Sequence, residues 1–211
     1  MKRIFYLVVT AILVFSLSGC SDGDDRSSQV AQIFSDQQAD GDIAFDPVLN
    51  SFTVANGPDT VFFGIDDLDP NLPEYRAFLD FPLDGSTGEN VVPAGARIRS
   101  ASIEVFINRV GFATTVPALI DLVQYPITGL QPQDFSSPPL AFRSLDFFDS
   151  DQGNFIAIDV TPLLQEAQRL ALADFQVRFL LDFALTNIGF IGIEDRPAIT
   201  LTAPLLVVEY D

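Results

Sequence analysis

The residue types that usually perform acid–base and nucleophilic chemistry are scarce in this chain. It contains no histidine and a single cysteine, Cys20, against 29 aspartates and glutamates. Histidine-based catalytic triads, histidine-ligated zinc and proton transfer by imidazole are therefore excluded. Carboxylate chemistry remains, either as two acids that hydrolyse a glycosidic bond or as oxygen ligands for calcium.

The densest group of oxygen ligands lies in the segment 66–74, between two predicted strands. Calcium binds about six to eight oxygen atoms, and a loop of this kind can supply several of them. We therefore predict a candidate structural calcium site at Asp66, Asp67 and Asp69, and we expect no other cofactor to be required. The alternative interpretation is a solvated acidic turn that is ended by two prolines.

Several acids fall in predicted strands, where two carboxylates on neighbouring strands can lie at the separation of a glycosidase pair. These acids are Asp80, Glu104, Asp121, Asp159 and Asp182. In a chain with 29 acidic residues such proximity also arises by chance. We therefore predict a non-catalytic protein with no catalytic residues, and a carboxylate-based glycosidase stays as the enzymatic alternative.

The N-terminus has the layout of a secretory signal, in which basic residues precede an apolar run. A membrane-spanning helix needs about 20 apolar residues, and the run Ile4–Leu17 is shorter than that. Its ending, Leu17-Ser18-Gly19-Cys20, resembles the lipobox of bacterial lipoproteins. In that family the peptide is cleaved before the cysteine, which is then acylated. The resemblance thus implies a signal peptide at residues 1–19 and lipid attachment at Cys20.

This resemblance also implies a location. Acyl chains at the N-terminus would hold the protein in the cell envelope, because two or more chains give stable membrane anchoring. The residue after the cysteine is Ser21 rather than aspartate. By the sorting pattern of enteric bacterial lipoproteins, this predicts the outer membrane rather than the inner membrane, on either its periplasmic or its surface face.

The charge of the chain excludes one class of partner. Its formal net charge is −18, with 11 cationic residues against 29 acidic ones. Such a charge repels nucleic acid and anionic lipid head groups. We therefore expect no nucleic-acid partner and no polybasic contact with a membrane.

The pattern after residue 45 predicts an all-β fold. Short alternating segments are separated by glycine, proline, asparagine and aspartate, and the clearest are Tyr75–Leu83 and Ile98–Asn108. This period of two indicates an antiparallel β-sandwich over residues 46–211. One short helix is predicted with Thr161 as its N-cap and Pro162 at its first position. Residues 20–45 are polar and acidic, and they are predicted to be a flexible tether.

Four segments of the chain are informative through their sequence, their order and their spacing. They are Tyr75–Leu83, Val92–Ile103, Ile156–Gln165 and Pro204–Tyr210. Together they resemble the DNRLRE-type domain, a jelly-roll β-sandwich family related to carbohydrate-binding modules of secreted bacterial proteins. The resemblance covers about residues 50–211 and implies a jelly-roll sandwich. Relatives of this type often carry tryptophan, whereas this chain has none, so any stacking on sugar rings would rest on phenylalanine and tyrosine.

The resemblance implies a binding module for polysaccharide or for another envelope or extracellular component. On the outer face of the clearest strands, Arg76, Phe78 and Phe106 are predicted to form its ligand-binding surface. Exposed aromatic side chains that cluster can mark such a surface. Two alternatives stay open: a loop covers these aromatic rings, or the protein has a structural or assembly role in which its partner is an envelope protein.

Overall fold

The computed structural model describes residues 28–88, 91–183, 188–196 and 202–211. Most of the described residues lie in strands, and a single α-helix packs against them. The strands are β1 (Gln29–Phe34), β2 (Gly41–Asp46), β3 (Ser51–Asn56), β4 (Thr60–Ile65), β5 (Glu74–Pro82), β6 (Ile98–Gly111), β7 (Thr115–Leu122), β8 (Ala141–Phe148), β9 (Asn154–Asp159), β10 (Asp174–Leu181), β11 (Phe190–Glu194) and β12 (Leu205–Tyr210). The helix α1 is Thr161–Arg169, and two 3₁₀ turns lie at Pro132–Ser136 and Asp149–Asp151.

The strands form one curled, antiparallel sheet. Its order is β1-β12-β6-β11-β4-β5-β10-β7-β8, with β9 paired to β6, β2 paired to β5, and β3 paired to β2. The curl brings the two halves of the sheet face to face around one large apolar core. The predicted all-β, antiparallel, sandwich-like fold with one short helix is confirmed.

The core is built from one face of each strand, as the alternation predicts. In β6, Ala101, Ile103, Val105 and Ile107 point inward, and each is at most 3% exposed. Phenylalanine rings fill the centre, where the rings of Phe63 and Phe147 lie 5.2 Å apart. Because the chain has no cysteine pair, this burial is the main source of its stability.

The helix α1 begins where the chain leaves β9. A carboxylate oxygen of Asp159 accepts hydrogen bonds from the backbone N–H and the hydroxyl of Thr161, at 3.0 and 2.6 Å. Pro162 fits the first turn because its missing N–H has no partner in a helix there. The predicted N-cap is one residue too late, since Val160 occupies that position and Thr161 already belongs to the helix. The buried side of α1 closes one end of the core.

The tether prediction for residues 20–45 is wrong from Gln29 onward. Strand β1 pairs along its whole length with β12, and β2 lies between β3 and β5. Ile33 and Ile43 are fully buried. The segment has few apolar residues, and its local sequence does not predict strands. It becomes β-structure because it pairs with strands from distant parts of the chain. The earlier part of the predicted tether, like the predicted signal peptide 1–19 and Cys20, lies outside the described residues.

Two further strands were not predicted. Strand β8 follows a proline-rich stretch, and β11 is a short glycine-containing segment between β6 and β4. Phe147 of β8 is fully buried, whereas Phe142 and Phe148 are 64% and 46% exposed. Of these three phenylalanines, Phe147 alone therefore belongs to the core. In the described part of the chain, no helix has the length and apolar character needed to cross a membrane.

An outer layer covers part of β5 and β10. The chain after β7, from Val123 to Leu140, lies over this face of the sheet, and its Tyr125, Leu130 and Phe135 form a second apolar cluster with Ile43 and Phe78. Gln176 fixes the start of the layer, because its side chain both accepts from and donates to the backbone of Tyr125. The rest is held by two arginines that are described below.

Position 64 of β4 must be glycine, because the backbones of β5 and β11 both pair with it there. Gly64 has a φ of +110°, and a Cβ atom there would lie 2.1 Å from the carbonyl oxygen of Gly189. We expect Gly64→Ala to lower the free energy of unfolding by more than about 2 kcal/mol, because it combines backbone strain with a clash against backbone. The matched control is Gly95→Ala, where no atom lies within 4 Å and the expected change is within about 0.5 kcal/mol. Denaturant titration measures both, and equal effects would contradict the prediction.

Candidate functional site

Phe78 does not lie on an exposed surface, so its predicted exposure is wrong. It is fully buried in the second apolar cluster, where its ring meets that of Tyr125 at 5.4 Å. The alternation placed it correctly on the face of β5 opposite the main core. The layer 123–140 then covers that face, as one of the sequence alternatives proposed.

Arg76 is a structural anchor of this layer rather than a free ligand-binding side chain. Its guanidinium donates to the carbonyl oxygen of Phe135 at 2.6 Å and lies 4.0 Å from the centre of the Phe135 ring. It also forms an ion pair with Glu74 at 2.7 Å. Burial is the main cause that lowers the pKa of Arg76, and the charge of Glu74 opposes it.

Phe106 lies apart from the other two predicted ligand-binding residues. It is half-buried on β6, where its ring centre is 5.2 Å from that of Phe155 on β9. Strands β11 and β4 separate β6 from β5 in the sheet. The structure therefore does not bring Arg76, Phe78 and Phe106 together.

The acidic segment Asp66, Asp67 and Asp69 forms local turns. Carboxylate oxygens of Asp66 and Asp69 accept the backbone N–H groups of Leu68 and Asn71, at 3.1 and 2.9 Å. Asp67 and Asp69 are exposed. Within the described ranges, no three acidic or cysteine side chains are grouped so as to hold a metal ion. The structure thus does not gather the three predicted calcium ligands around one point.

A different groove brings aromatic and polar side chains together. It lies over one face of the β2–β3 hairpin, is bordered by β4 and the start of β5, and has a volume of about 380 Å³. Its lining comes from consecutive elements of the chain between residues 42 and 75. The lining residues are Asp42, Ala44, Asp46, Thr53, Ala55, Pro58, Thr60, Phe62, Asp69, Pro73 and Tyr75. We call this feature the hairpin groove.

The aromatic wall of the hairpin groove is held rigidly from behind. Phe62 and Tyr75 are half-buried, and their ring centres lie 6.3 Å apart in an edge-to-face arrangement. Both contact Phe190 of β11, whose ring is stacked on Phe62 at 5.2 Å. The guanidinium of Arg109, on β6, lies 4.9 Å from the centre of the Phe190 ring. These contacts fix the two rings that border the groove.

The polar wall consists of carboxylates and hydroxyls. Asp42 accepts the backbone N–H of Phe62 at 3.0 Å, which joins the hairpin to β4. Asp46 accepts the side-chain amide of Asn71 at 2.7 Å and also caps the β2–β3 turn. Asp69, Thr53 and Thr60 complete this wall. The groove therefore offers many hydrogen-bond acceptors beside apolar ring surface.

The potential in the hairpin groove is negative. Burial raises the pKa of Asp42 to about 6, although the N–H of Phe62 lowers it in part. The pKa of Tyr75 is also raised, first by burial and then by the negative charges of Asp42, Asp66 and Asp69. These groups lie close enough to act on one another. The groove thus suits a neutral or cationic ligand that presents hydroxyl groups.

No residue of the hairpin groove was among the predicted ligand-binding set, although Asp69 was predicted as a calcium ligand. Strand β2, which supplies Asp42 and Asp46, lay inside the predicted tether. The alternation of Asp42, Ala44 and Asp46 with Ile43 and Phe45 was the available signal. Comparison of the chain with protein-family models and with curated proteins gives no match.

Proposed function

We propose that this protein is a non-catalytic cell-envelope lipoprotein whose β domain binds polysaccharide in the hairpin groove. The observation that carries the proposal is the pairing of an aromatic wall, Phe62 and Tyr75, with a wall of carboxylates and hydroxyls in one groove of about 380 Å³. Small-ligand sites have this composition, in which apolar walls supply contact area and a few polar groups fix orientation.

The chemistry of sugars fits the two walls. The C–H face of a sugar ring packs on an aromatic ring, and its hydroxyl groups donate to carboxylates. Asp46 and Asp69 supply acceptor oxygens, while Thr53 and Thr60 supply hydroxyls that both donate and accept. Because the groove and the chain are negatively charged, we expect neutral polysaccharides to bind and polyuronates or sulfated polysaccharides to be repelled.

The binding test uses the full chain in detergent and a panel of neutral envelope and matrix polysaccharides. We expect Tyr75→Ala to weaken binding at least about 10-fold, since one stacked ring is worth about 0.5–1.5 kcal/mol beyond the area it buries. Asp69→Ala is expected to weaken binding with only a local effect on the fold, because Asp69 is exposed and its hydrogen bond from the N–H of Asn71 lies within its own turn. The matched control is Phe142→Ala, which removes an aromatic ring that is 64% exposed and does not line the groove.

Three results would contradict the proposal. The first is binding that survives both groove variants, and the second is equal loss in the Phe142→Ala control. The third is release of reducing sugar by the wild-type chain, which would make the groove carboxylates catalytic. If no polysaccharide binds and an outer-membrane protein is captured reproducibly, the assembly role that the sequence left open replaces this one.

The anchor is tested separately at Cys20. The lipobox resemblance supports acylation of its sulfur and of the amino group that cleavage creates. We expect Cys20→Ser to shift the protein from the membrane fraction to the soluble fraction and to remove labelling by radioactive fatty acid, because acyl chains supply the membrane affinity. Ser18→Ala serves as the control and should still be acylated. Membrane association that persists in Cys20→Ser would contradict the lipoprotein proposal.

A further inference from the structure

Two aspartates from distant parts of the chain meet in the interior. Asp40 lies just before β2, and Asp195 follows β11 directly; both are fully buried. Their carboxyls lie next to each other and interact. Neither residue belongs to the hairpin groove or to the acidic turn 66–69. We call them the buried carboxyl pair.

The backbone around the pair is fully ordered by hydrogen bonds. The N–H of Asp195 donates to the carbonyl of Asp59 at 2.9 Å, and its carbonyl accepts the side-chain amide of Gln37 at 2.8 Å. The carbonyl of Asp40 accepts the N–H of Gly57 at 2.9 Å, also across two separate segments. The positions of both carboxyls are therefore fixed by the fold.

The two carboxyls receive few N–H donors. One oxygen of Asp40 accepts the N–H of Asp80 at 2.6 Å, but its other oxygen accepts from no N–H group. No N–H group donates to either carboxyl oxygen of Asp195, whose hydrogen-bonding neighbour is the Asp40 carboxyl itself. The hydroxyl of Ser35, which is 6% exposed, also lies beside the Asp40 carboxyl. Oxygen atoms of two carboxyls and one hydroxyl are thus grouped in the interior.

Such an arrangement is costly unless positive charge balances it. An unpaired buried carboxylate loses its hydration and gains nothing in return. In the described part of the chain, no arginine reaches either carboxyl; Arg196, next in sequence, lies instead near Asp59 and Glu194, at 3.6 and 3.5 Å. Asp36 and Asp59 add further negative charge nearby.

We propose that a hard divalent cation of the calcium class binds between Asp40 and Asp195, with Ser35 as a further ligand. Carboxylate and hydroxyl oxygens are the donors that such cations prefer. A cavity of about 320 Å³, lined by Ser35 together with Asp36, Gln37 and Thr87, reaches the site at Ser35, and water ligands would enter from that side. With two carboxylates rather than three or more, the expected Kd is about 10⁻⁴–10⁻³ M, the range of extracellular calcium modules.

The cation would join three parts of the fold. Asp40 belongs to the connection between β1 and β2, Asp195 to the end of β11, and the N–H of Asp80 in β5 holds the Asp40 carboxyl from the other side. In the sheet, β4 lies between β11 and β5, so the bridge would join strands that do not pair with each other. Because the unfolded chain does not hold these residues together, the cation binds the native state and stabilises it.

The test measures thermal unfolding of the full chain in detergent at pH 8, after chelator treatment and with added CaCl₂ or MgCl₂. At a free calcium concentration of 100 times Kd we expect the Tm to rise by about 5–10 °C. Asp195→Asn is expected to remove this rise and to raise the Tm of the metal-free protein, since a neutral amide of the same shape removes the charge. The matched control, Asp67→Asn, changes an exposed acid and should keep the full calcium response.

Direct calcium binding makes the outcome decisive even when a variant fails to fold. Equilibrium dialysis with ⁴⁵Ca should give one ion per wild-type chain and none for Asp40→Asn or Asp195→Asn. A wild-type chain that binds no calcium, with a Tm that neither CaCl₂ nor chelator changes, would overturn the proposal and leave a proton shared between the two carboxyls. A response that survives Asp195→Asn but is lost in Asp69→Asn would also overturn it, because the ion would then occupy the acidic turn 66–69.

Discussion

Replacing Arg178 with methionine is expected to lower the free energy of unfolding by about 3–5 kcal/mol, since it leaves a buried carboxylate without its partner. Arg178 and Asp121 stand directly opposite each other on β10 and β7, and both are buried. The guanidinium donates to Asp121 at 2.5 Å and to the carbonyl oxygens of Asp134 and Phe135 at 3.1 and 3.0 Å. One side chain thus pairs two strands and holds the outer layer 123–140 over Phe78.

The control for this prediction is the double variant Arg178→Met with Asp121→Leu, which removes both charges and should recover much of the loss. Arg143→Met provides a second comparison, because its ion pair with Asp159 is exposed and contributes about 0–1 kcal/mol. Denaturant unfolding gives all three values. A loss below about 1 kcal/mol in Arg178→Met would show that the outer layer does not depend on this pair.

Raising the pH from 5 to 8 in the presence of chelator is expected to destabilise the protein by several kcal/mol. Burial is the largest cause that raises the pKa of Asp80 and of Asp195, each to about 7, and burial also raises that of Asp40. Asp36 faces both Asp80 and Asp195; Asp174 adds repulsion at Asp80, and Asp59 adds it at Asp195. The folded state therefore binds protons more tightly than the unfolded chain, whose aspartates titrate near pH 4.

This difference in proton binding means that the free energy of unfolding falls as the pH rises. The stabilising contribution is fully present below about pH 4 and is lost as the pH rises through about 7. Each group contributes a slope of up to about 1.4 kcal/mol per pH unit inside that window. Asp80→Asn should remove one such slope, whereas Asp67→Asn, an exposed control, should not change the profile. Unfolding measured at several pH values checks the prediction, and stability that stays flat or rises between pH 5 and 8 would refute it.

The sequence was sufficient for the elements whose alternation is long and regular. Strands β5 and β6 are nine and 14 residues long and show clear inward and outward faces, so both were predicted as strands, although β6 extends past the predicted end at Asn108 to Gly111. Strands β1 and β2 have six residues each, in a segment rich in glutamine and aspartate. Their pairing with β12 and β5 is a tertiary effect that no local pattern carries.

The site was harder to predict for a related reason. Alternation tells on which face of a strand a side chain lies, but not whether another segment covers that face. Phe78 and Arg76 were assigned to the correct face of β5, and the layer 123–140 turns that face into interior. The hairpin groove combines β2, β4 and the turn before β5. Strands β2 and β4 meet here because both pair with β5 at Tyr75, and the local pattern of neither strand specifies that pairing.

The pairing of β1 with β12 has a consequence for the order of folding. Gln29–Phe34 is hydrogen-bonded along its length to Leu205–Tyr210 and to no other complete strand. At a synthesis rate of about 5–20 residues per second, roughly 10–35 seconds separate the appearance of these two strands. During that interval β1 cannot complete its native structure, because its partner does not yet exist. Strand β1 therefore joins the sheet only after the C-terminal strand of the domain has been synthesised.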